Sequence, residues 1–465
     1  MRYISTRGAA PALDFEDVVL TGLARDGGLY IPDQWSPISP DDIRGFADAG
    51  YADCAFRVMR PYIDGACIDD ADLRALIGKT YAVFDDPAVA PLRRLDDDTW
   101  LLELFHGPTL AFKDFALQFL GRMFEHILAK RAQRITIVGA TSGDTGSAAI
   151  EACKGRNNLD IFMLHPAGRV SDVQRRQMTT VLAPNVHNIA IEGTFDDCQD
   201  LVKGMFNDEG FRDALNLSAV NSINWARVMA QIVYYFTAAA KLGTADPISF
   251  VVPTGNFGNV YAGYAAHQMG LSDAKLIVAS NQNDILTRFF EAGDMSIAPV
   301  RPSYSPSMDI QISSNFERLL FDLFDRDGAA VAEAIGKFRE SGTLPDGARL
   351  KAAAGAVFSG FRTVDADTLV TIRETHAANG ILLDPHTAVG LGAARQMVPD
   401  GTQRIVLATA HPAKFPDAVE KATGVRPELP AHLADLFDRE ERCDTLANDL
   451  ATVQSYVRDK APVVA

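Results

Sequence analysis

The chain has 465 residues and a formal net charge of −16, and 47% of its residues are hydrophobic. This length allows about three domains, and the hydrophobic share is large enough for buried cores. No apolar run approaches the ~18 residues of a membrane-spanning helix, and the acidic balance disfavours nucleic acid or a membrane as a partner. The first residues lack the apolar stretch of a signal peptide, so we expect a cytoplasmic protein.

Cysteine and histidine are spaced unlike metal or redox motifs. The five cysteines are scattered without a Cys-x-x-Cys pair, and the nine histidines show no His-Glu-x-x-His spacing. Disulfides, zinc and a catalytic metal are therefore not expected.

The predicted elements divide the chain into three parts. Residues 1–85 predict a helical cap, in which Ser39 is an N-cap ahead of Pro40 at the first helical position. Residues 86–430 alternate strands and helices, which predicts parallel, doubly wound sheets, with an insertion at about 293–350. Residues 431–465 predict a charged, helical extension on the outside. The predicted strands of the alternating part are 100–104, 134–138, 160–164, 186–191, 248–252, 275–279, 381–383 and 404–408.

One lysine lies in an unusually apolar stretch. Lys113 follows the run H-G-P-T-L-A-F, with no other positive charge near it, at the start of a helix predicted over 114–130. An amine in that setting loses hydration, so its pKa should fall and it could act as a nucleophile toward an aldehyde. The alternative is a lysine whose stem packs while its ammonium group reaches water.

A glycine-containing loop lies between a predicted strand, 248–252, and a predicted helix, 260–269. Free backbone N–H groups and a helix N-terminus at such a loop favour a phosphate. The loop matches neither a Walker A motif nor a dinucleotide fingerprint, and an ordinary strand-to-helix turn remains an alternative. The loop residues are Gly255, Asn256, Phe257, Gly258 and Asn259.

A second loop, Ser142, Gly143, Asp144 and Thr145, also follows a predicted strand and precedes a predicted helix. Its hydroxyl groups and glycine suit a carboxylate or phosphate, although plain N-capping would also explain them.

Three further residues are candidates for binding a phosphate. Arg227 lies in the first turn of a helix predicted to extend to residue 242, where a cation opposes the helix dipole. This cost favours an anionic partner, so Asn224 and Arg227 are candidates to bind a phosphate. Lys414 is another candidate, because it is near Thr409 in sequence. The alternative for Arg227 is a surface arginine paired with an acid.

A lysine that can bond an aldehyde and a loop that can hold a phosphate are what pyridoxal 5'-phosphate (PLP) requires. Four motifs occur in order: H-G-P-T-x-A-F-K-D, S-G-D-T-G, G-N-F-G-N and the T-A-H-P-A-K-F segment at 409–415. Together they resemble the threonine synthases in their longer bacterial and fungal form. The resemblance extends from residue 3 to about residue 425.

The resemblance implies an α/β fold of the tryptophan synthase β-like PLP group, with the cofactor between two doubly wound parallel-sheet domains. It implies that Lys113 bonds the cofactor and is the catalytic acid and base. The loop from Gly255 to Asn259 would hold the cofactor phosphate through backbone amides, and Thr409 would face the pyridine nitrogen. The loop from Ser142 to Thr145 would bind the substrate carboxylate. Related loops often have Asn at position 144, so we expect the Asp144 side chain to turn away or to bond backbone amides.

The implied reaction is a β,γ-replacement that converts O-phospho-L-homoserine and water to L-threonine and phosphate, in a monomer or homodimer. Two alternatives remain open. One is another PLP enzyme of the same fold, such as a serine/threonine dehydratase or a cysteine synthase. The other is a non-catalytic protein that binds a phosphate ligand.

Overall fold

The computed structural model describes residues 1–243 and 247–461. The strands are β1 Tyr3–Ser5, β2 Tyr30–Pro32, β3 Leu92–Arg94, β4 Thr99–Glu103, β5 Ile135–Ala140, β6 Leu159–Pro166, β7 Val186–Glu192, β8 Leu217–Ser218, β9 Ile248–Pro253, β10 Lys275–Ser280, β11 Phe358–Arg362, β12 Gln403–Ala408 and β13 Asp444–Ala447.

The α-helices are α1 Phe15–Thr21, α2 Pro40–Gly45, α3 Tyr51–Met59, α4 Asp70–Tyr81, α5 Lys113–Arg131, α6 Asp144–Cys153, α7 Asp172–Thr179, α8 Phe195–Asn207, α9 Glu209–Ala214, α10 Trp225–Leu242, α11 Gly258–Met269, α12 Ile285–Ala292, α13 Phe316–Leu323, α14 Gly328–Ser341, α15 Gly347–Ala354, α16 Asp365–Asn379, α17 Pro385–Met397, α18 Pro416–Thr423 and α19 Leu450–Lys460. Short 3-10 helices occur at Arg60–Tyr62, Pro306–Met308, Pro412–Lys414 and Ala431–Leu433.

The larger sheet has the strand order β11-β10-β9-β12-β4-β3. Its neighbours are parallel except for β3, an antiparallel edge strand. Every residue of β9 is buried, and successive residues face different cores. Phe250 and Val252 join the core that contains α10 and α11, whereas Val251 joins the core that contains α17. Helices therefore cover both faces, as in a doubly wound sheet.

The smaller sheet has the order β13-β7-β6-β5-β8, and all of its strand pairs are parallel. All eight residues of β6 are buried, which is expected for a central parallel strand. The predicted fold class, two doubly wound parallel sheets, is confirmed. Among the described residues, no helix combines the length and apolarity needed to cross a membrane.

The cap contains α1 to α4 and the antiparallel pair of β1 and β2. The Ser39 side chain accepts a hydrogen bond from the Asp42 amide, and Pro40 is the first helical residue, as predicted. Tyr3 packs against Trp225, which joins the cap to α10. The predicted boundaries at residues 85 and 430 remain predictions.

Three sequence predictions of secondary structure are wrong. Residues 381–383 pair with no strand among the described residues; their apolar side chains pack in the core beside α17. The first helix predicted in the C-terminal extension, over residues 431–437, is only a short 3-10 helix at Ala431–Leu433. The C-terminal part is also not purely helical, because β13 lies ahead of α19 and pairs with β7. Side chains of β13 are largely exposed, so a buried-strand pattern could not reveal it.

Candidate active site

Lys113 is the first residue of α5, after a loop that leaves the carboxyl end of β4. The Asp114 carboxylate accepts hydrogen bonds from the amide and the hydroxyl of Thr109, both at 2.8 Å, which closes the loop. A Cβ at Gly107 would lie 2.5 Å from the Asp114 Cβ, so the close turn requires glycine there. Leu110 takes a left-handed conformation with φ 62°. The bonds between Thr109 and Asp114 thus fix the loop on both sides of Lys113.

The Lys113 side chain is largely buried, with 11% exposed, and its Nζ lies 3.3 Å from Asp144 Oδ2. Burial lowers the pKa of Lys113, the Asp144 carboxylate opposes this effect, and the charges of Lys414 and Arg227 lower the pKa further. The direction is the one that the sequence predicted. A lysine of this kind has a larger neutral fraction at neutral pH than an exposed lysine has.

Asp144 lies at the N-terminus of α6 and contacts four side chains. Its Oδ1 accepts from Lys414 Nζ and Gln174 Nε2, both at 2.8 Å, and its Oδ2 accepts from Ser307 Oγ at 2.9 Å and from Lys113. Burial alone would raise the pKa of the Asp144 carboxyl, but the two lysine charges hold it well below its usual value. The prediction that this side chain turns away or bonds backbone amides is wrong, because two ammonium groups from distant segments reach it.

Lys414 lies in the 3-10 helix that follows β12, and it is fully buried. Its Nζ donates to the Thr109 carbonyl and contacts Asp144 Oδ1, in both cases at 2.8 Å. The amine is therefore already bonded on two sides to protein groups. This arrangement favours a role in holding Asp144 over the predicted role as a phosphate ligand.

Arg227 is buried in the first turn of α10. Among the described residues, its Nε and Nη1 atoms have no hydrogen-bond partner and no carboxylate pairs with it. Burial lowers the pKa of Arg227 to about 10. The alternative of a surface arginine paired with an acid is wrong. A buried guanidinium without a counter-ion indicates an anionic ligand.

Asn224 is the N-cap of α10. Its side-chain oxygen accepts from the Ala226 amide at 3.0 Å, and its Nδ2 donates to the Val19 carbonyl at 2.8 Å. Both ends of the amide group are thus engaged with the backbone, one within α10 and one in the cap. The structure gives Asn224 a capping role and does not show it free for a phosphate.

The segment 255–259 follows β9: Gly255 to Phe257 form the loop, and Gly258 and Asn259 are the first residues of α11. Phe257, the residue before α11, takes a left-handed conformation with φ 63°. A Cβ at Gly255 would lie 2.8 Å from the Ser307 carbonyl oxygen, so only glycine fits there. The carbonyl of Gly255 accepts from Ser313, and that of Asn256 accepts from Asn315.

The amides at the start of α11 have no partner within the helix, because the first helical N–H groups never do. Two side chains of this segment are turned into the core: Phe257 packs against Phe316, and Asn259 Oδ1 accepts from the hydroxyls of Tyr234 and Tyr235. Only the backbone amide of Asn259, and not its side chain, lies with the other candidate N–H donors at the start of α11. Main-chain N–H groups are therefore the candidates for holding a phosphate at this loop, and that role stays a prediction.

The loop at 142–145 is shaped by Thr141, whose hydroxyl accepts from the amides of Gly143 and Gly146. Gly143 has φ 142°, and a Cβ there would lie 2.4 Å from the Gln174 side chain. Ser142 is exposed, and Thr145 is partly buried in the first turn of α6. The loop therefore presents first-turn amides beside Asp144.

Thr409 follows β12, and its side chain is almost fully buried. The Thr409 carbonyl accepts from the Phe112 amide at 2.9 Å, and Ala111 forms a bridge with Ala410. These bonds place Thr409 alongside the segment that carries Lys113.

Sequence reasoning missed three residues of the site. Besides Gln174 and Ser307, which bind Asp144, the structure adds His386. The His386 Nε2 accepts from the Ser307 amide at 3.2 Å, and its Nδ1 lies 2.9 Å from Asp384 Oδ1. None of these residues belongs to a motif around the lysine or a glycine loop, so no local pattern could reveal them.

Comparison with known proteins shows the family to which this chain belongs. A model of pyridoxal-phosphate dependent enzymes matches residues 84–356, and models of the threonine synthase N terminus and C-terminal part match residues 2–81 and 387–457. A threonine synthase from Pseudomonas aeruginosa is 57% identical over 460 residues, with 98% of each chain covered. This chain belongs to the threonine synthase family.

Solved structures of threonine synthases share the fold. A PLP-bound threonine synthase from Brucella melitensis is 52% identical, with a TM-score of 0.97 and 100% of both chains covered. The yeast threonine synthase is 39% identical, with a TM-score of 0.93 and 99% and 98% of the chains covered. As in this family of PLP-dependent enzymes, the cofactor is PLP.

The residues of the site fit PLP. The Lys113 amine, with its lowered pKa, can bond an aldehyde, and the helix N-terminus behind the glycine loop can bind a phosphate. In the described residues, no group of three or more His, Cys, Asp or Glu side chains is arranged to hold a metal ion.

Proposed function

We propose that this threonine synthase family member converts O-phospho-L-homoserine and water to L-threonine and phosphate by a β,γ-replacement. The observation that carries the proposal is the buried Arg227, which has an unsatisfied guanidinium close enough to Lys113 to lower its pKa. A second anion site near the cofactor lysine, besides the loop at 255–259, suits a substrate that brings its own phosphate. A substrate without a phosphate would leave this cation unpaired.

In this proposal Lys113 bonds the cofactor, and the amides of Gly255 to Asn259 hold the cofactor phosphate. The Thr409 hydroxyl would be the partner of the ring nitrogen, and a hydroxyl would hold that nitrogen protonated less strongly than a carboxylate would. Bound PLP withdraws electrons from the α-carbon of the substrate. The loop of Ser142, Gly143 and Thr145 binds the substrate carboxylate through its amides and hydroxyl groups.

Lys113 is the group that moves protons. Once its amine is free, it removes the proton from the substrate Cα, and it returns a proton there before L-threonine is released. Its lowered pKa favours the neutral amine, which a base requires. Arg227 binds the γ-phosphate and stabilises the charge that develops as it leaves. Lys414 and Asn224 are structural in this proposal, because their polar atoms are bonded to protein groups.

The test is phosphate release from O-phospho-L-homoserine with L-threonine detected as product. Lys113→Ala should lose both this activity and the absorbance of the covalently bound cofactor. Lys203→Ala is the matched control, because Lys203 is an exposed lysine on α8; it should keep both. Threonine formation by Lys113→Ala would contradict the assignment of Lys113. If the protein consumes serine or threonine but forms no threonine from O-phospho-L-homoserine, the result would point to a dehydratase or synthase of the same fold.

We further propose a cytoplasmic location, which the composition of the chain supports, and a monomer or homodimer as the assembly.

A further inference from the structure

The Asp144 carboxylate is the point at which separate segments of the chain meet. Lys113 reaches it from α5, Lys414 from the 3-10 helix after β12, and Ser307 from the insertion between α12 and α13. Gln174 on α7 completes the set. The carboxylate is buried, with side-chain exposure of 5%.

The two oxygens of Asp144 have different partners. Oδ1 is bonded to Lys414 and Gln174, and the Lys414 amine is fixed on its other side by the Thr109 carbonyl. Oδ2 is shared between Lys113 at 3.3 Å and the Ser307 hydroxyl at 2.9 Å. Oδ1 is therefore the anchored end. Oδ2 can keep one hydrogen bond, from Ser307, when the lysine amine is elsewhere.

Ser307 is itself held in place. Its amide donates to His386 Nε2, and His386 contacts the fully buried Asp384 through Nδ1. The Ser307 backbone is thus anchored beside Asp144 by a contact that does not involve Lys113.

We propose that Asp144 is a positioning residue that holds the Lys113 amine whenever that amine is not bonded to the cofactor, and that it sets the protonation equilibrium of the free amine. A free ammonium group in this buried site has Lys414 and Arg227 as neighbours of the same charge, so without a counter-ion its charged form would be disfavoured. Asp144 supplies that counter-ion at contact distance. The inference rests on the proposed function only in taking Lys113 as the cofactor lysine.

The test measures the free amine in the protein from which the cofactor has been removed. Trace labelling with acetic anhydride over a pH series, followed by mass spectrometry of the Lys113 peptide, gives the titration of this one amine. Asp144→Asn removes the opposite charge, so the titration should shift to lower pH. At a pH below both pKa values, Lys113 should react about tenfold faster or more. Glu151→Gln is the matched control: it removes a carboxylate from the same helix, paired with Lys154, and should leave the Lys113 profile unchanged.

Ser307→Ala should shift the titration in the opposite direction. Without the serine hydroxyl, Oδ2 has Lys113 as its remaining partner, so the charged amine is favoured and labelling slows. An unchanged Lys113 profile in Asp144→Asn overturns the proposal. If that variant does not fold, an unchanged or faster profile in Ser307→Ala overturns it.

The labelling experiment uses no substrate and no turnover, so its outcome is separate from the proposed function. A parent protein that forms no threonine would refute the proposed function and leave the Lys113 titration to be measured. A parent that forms threonine, together with an unchanged profile in Asp144→Asn, would refute this inference alone.

Discussion

Lys113 and Asp114 are neighbours in the sequence, but their side chains enter different environments. Lys113 contacts the Asp144 carboxylate at the start of α6, whereas the fully buried Asp114 accepts only from Thr109 among the described residues. Burial raises the pKa of Asp114 to about 7. The carboxylate fixes the loop that leads to the cofactor lysine, and its ionisation at neutral pH carries a cost in stability.

Asp114→Asn should change the pH dependence of stability. Because the pKa of Asp114 is raised from 3.8 to about 7 on folding, the folded chain binds more protons between these values. The contribution of Asp114 is therefore fully present below pH 3.8 and is lost as the pH rises through about 7. We expect the parent to lose stability relative to Asp114→Asn between pH 5 and pH 8, as measured by urea unfolding. A constant difference over this range would contradict the raised pKa.

Arg227→Met should separate stability from activity. Removing a buried, unpaired cation relieves its desolvation, so the melting temperature of the cofactor-free protein should rise. The leaving phosphate loses its partner, so kcat/KM should fall by about 10²-fold or more. The control is Arg318→Met, because Arg318 is equally buried but donates to the Tyr30 and Ile223 carbonyls. That variant should lose stability, and a melting temperature that falls in both variants would contradict the reading of Arg227 as a ligand site.

The part of the site that could be predicted from sequence is the part that is local. Lys113 and the glycine loops carry their signal within about ten residues, as an apolar run or a strand–loop–helix pattern. The environment of Asp144 could not be predicted in this way. Its contact with Ser307 spans 163 residues, and nothing near Ser307 marks it as a ligand. Arg227 was predicted from its unfavourable position at a helix N-terminus, an energetic cost that is visible in the sequence.

At the scale of elements, the loops before α6 and α11 require glycine, because a Cβ would clash with neighbouring atoms at Gly143 and Gly255. Gly143→Ala should be damaging, because φ 142° is strained for alanine and the new Cβ would displace Gln174, which holds Asp144. We expect a large fall in kcat with a modest fall in melting temperature. Gly336→Ala is the control: this glycine lies within α14 with open space at the Cβ position. It should add about 0.5–1 kcal/mol of stability and leave kcat unchanged; equal loss of kcat in both variants would contradict this explanation.

Strands were predictable where burial on both faces demands long apolar runs, as in β6 and β9. The same rule produced the error at 381–383, because an apolar triplet packs equally well without a strand partner. The same rule also missed β11. This strand contains Gly360, which lies so close to Thr287 that a Cβ at position 360 would be 2.9 Å from the Thr287 Cα. Pairing partners far along the chain decide these cases, and a local pattern does not contain them.

At the scale of the whole molecule, the chain leaves the smaller sheet after β8 and returns to it only at β13. The last helix, α19, packs on this sheet: Val453 and Val457 share a core with Leu201 and Met205 of α8. The C-terminal segment therefore completes the smaller sheet, next to which Asp144 lies, although most strands of the larger sheet come between β8 and β13 in the sequence.

Val453→Ala should destabilise the smaller sheet without changing kcat. Deleting two buried methyl groups costs about 2 kcal/mol, so the melting temperature should fall while kcat stays close to that of the parent. Amide hydrogen exchange should speed up in β7 and α8 and remain slow in β9, because the core that contains Val453 does not extend to the larger sheet. Val425→Ala, the same change at a position that is 41% exposed, is the control and should alter neither property. Faster exchange in β9 as well as β7 would instead mean that the two sheets unfold as one unit and that the C-terminal helix stabilises the whole molecule.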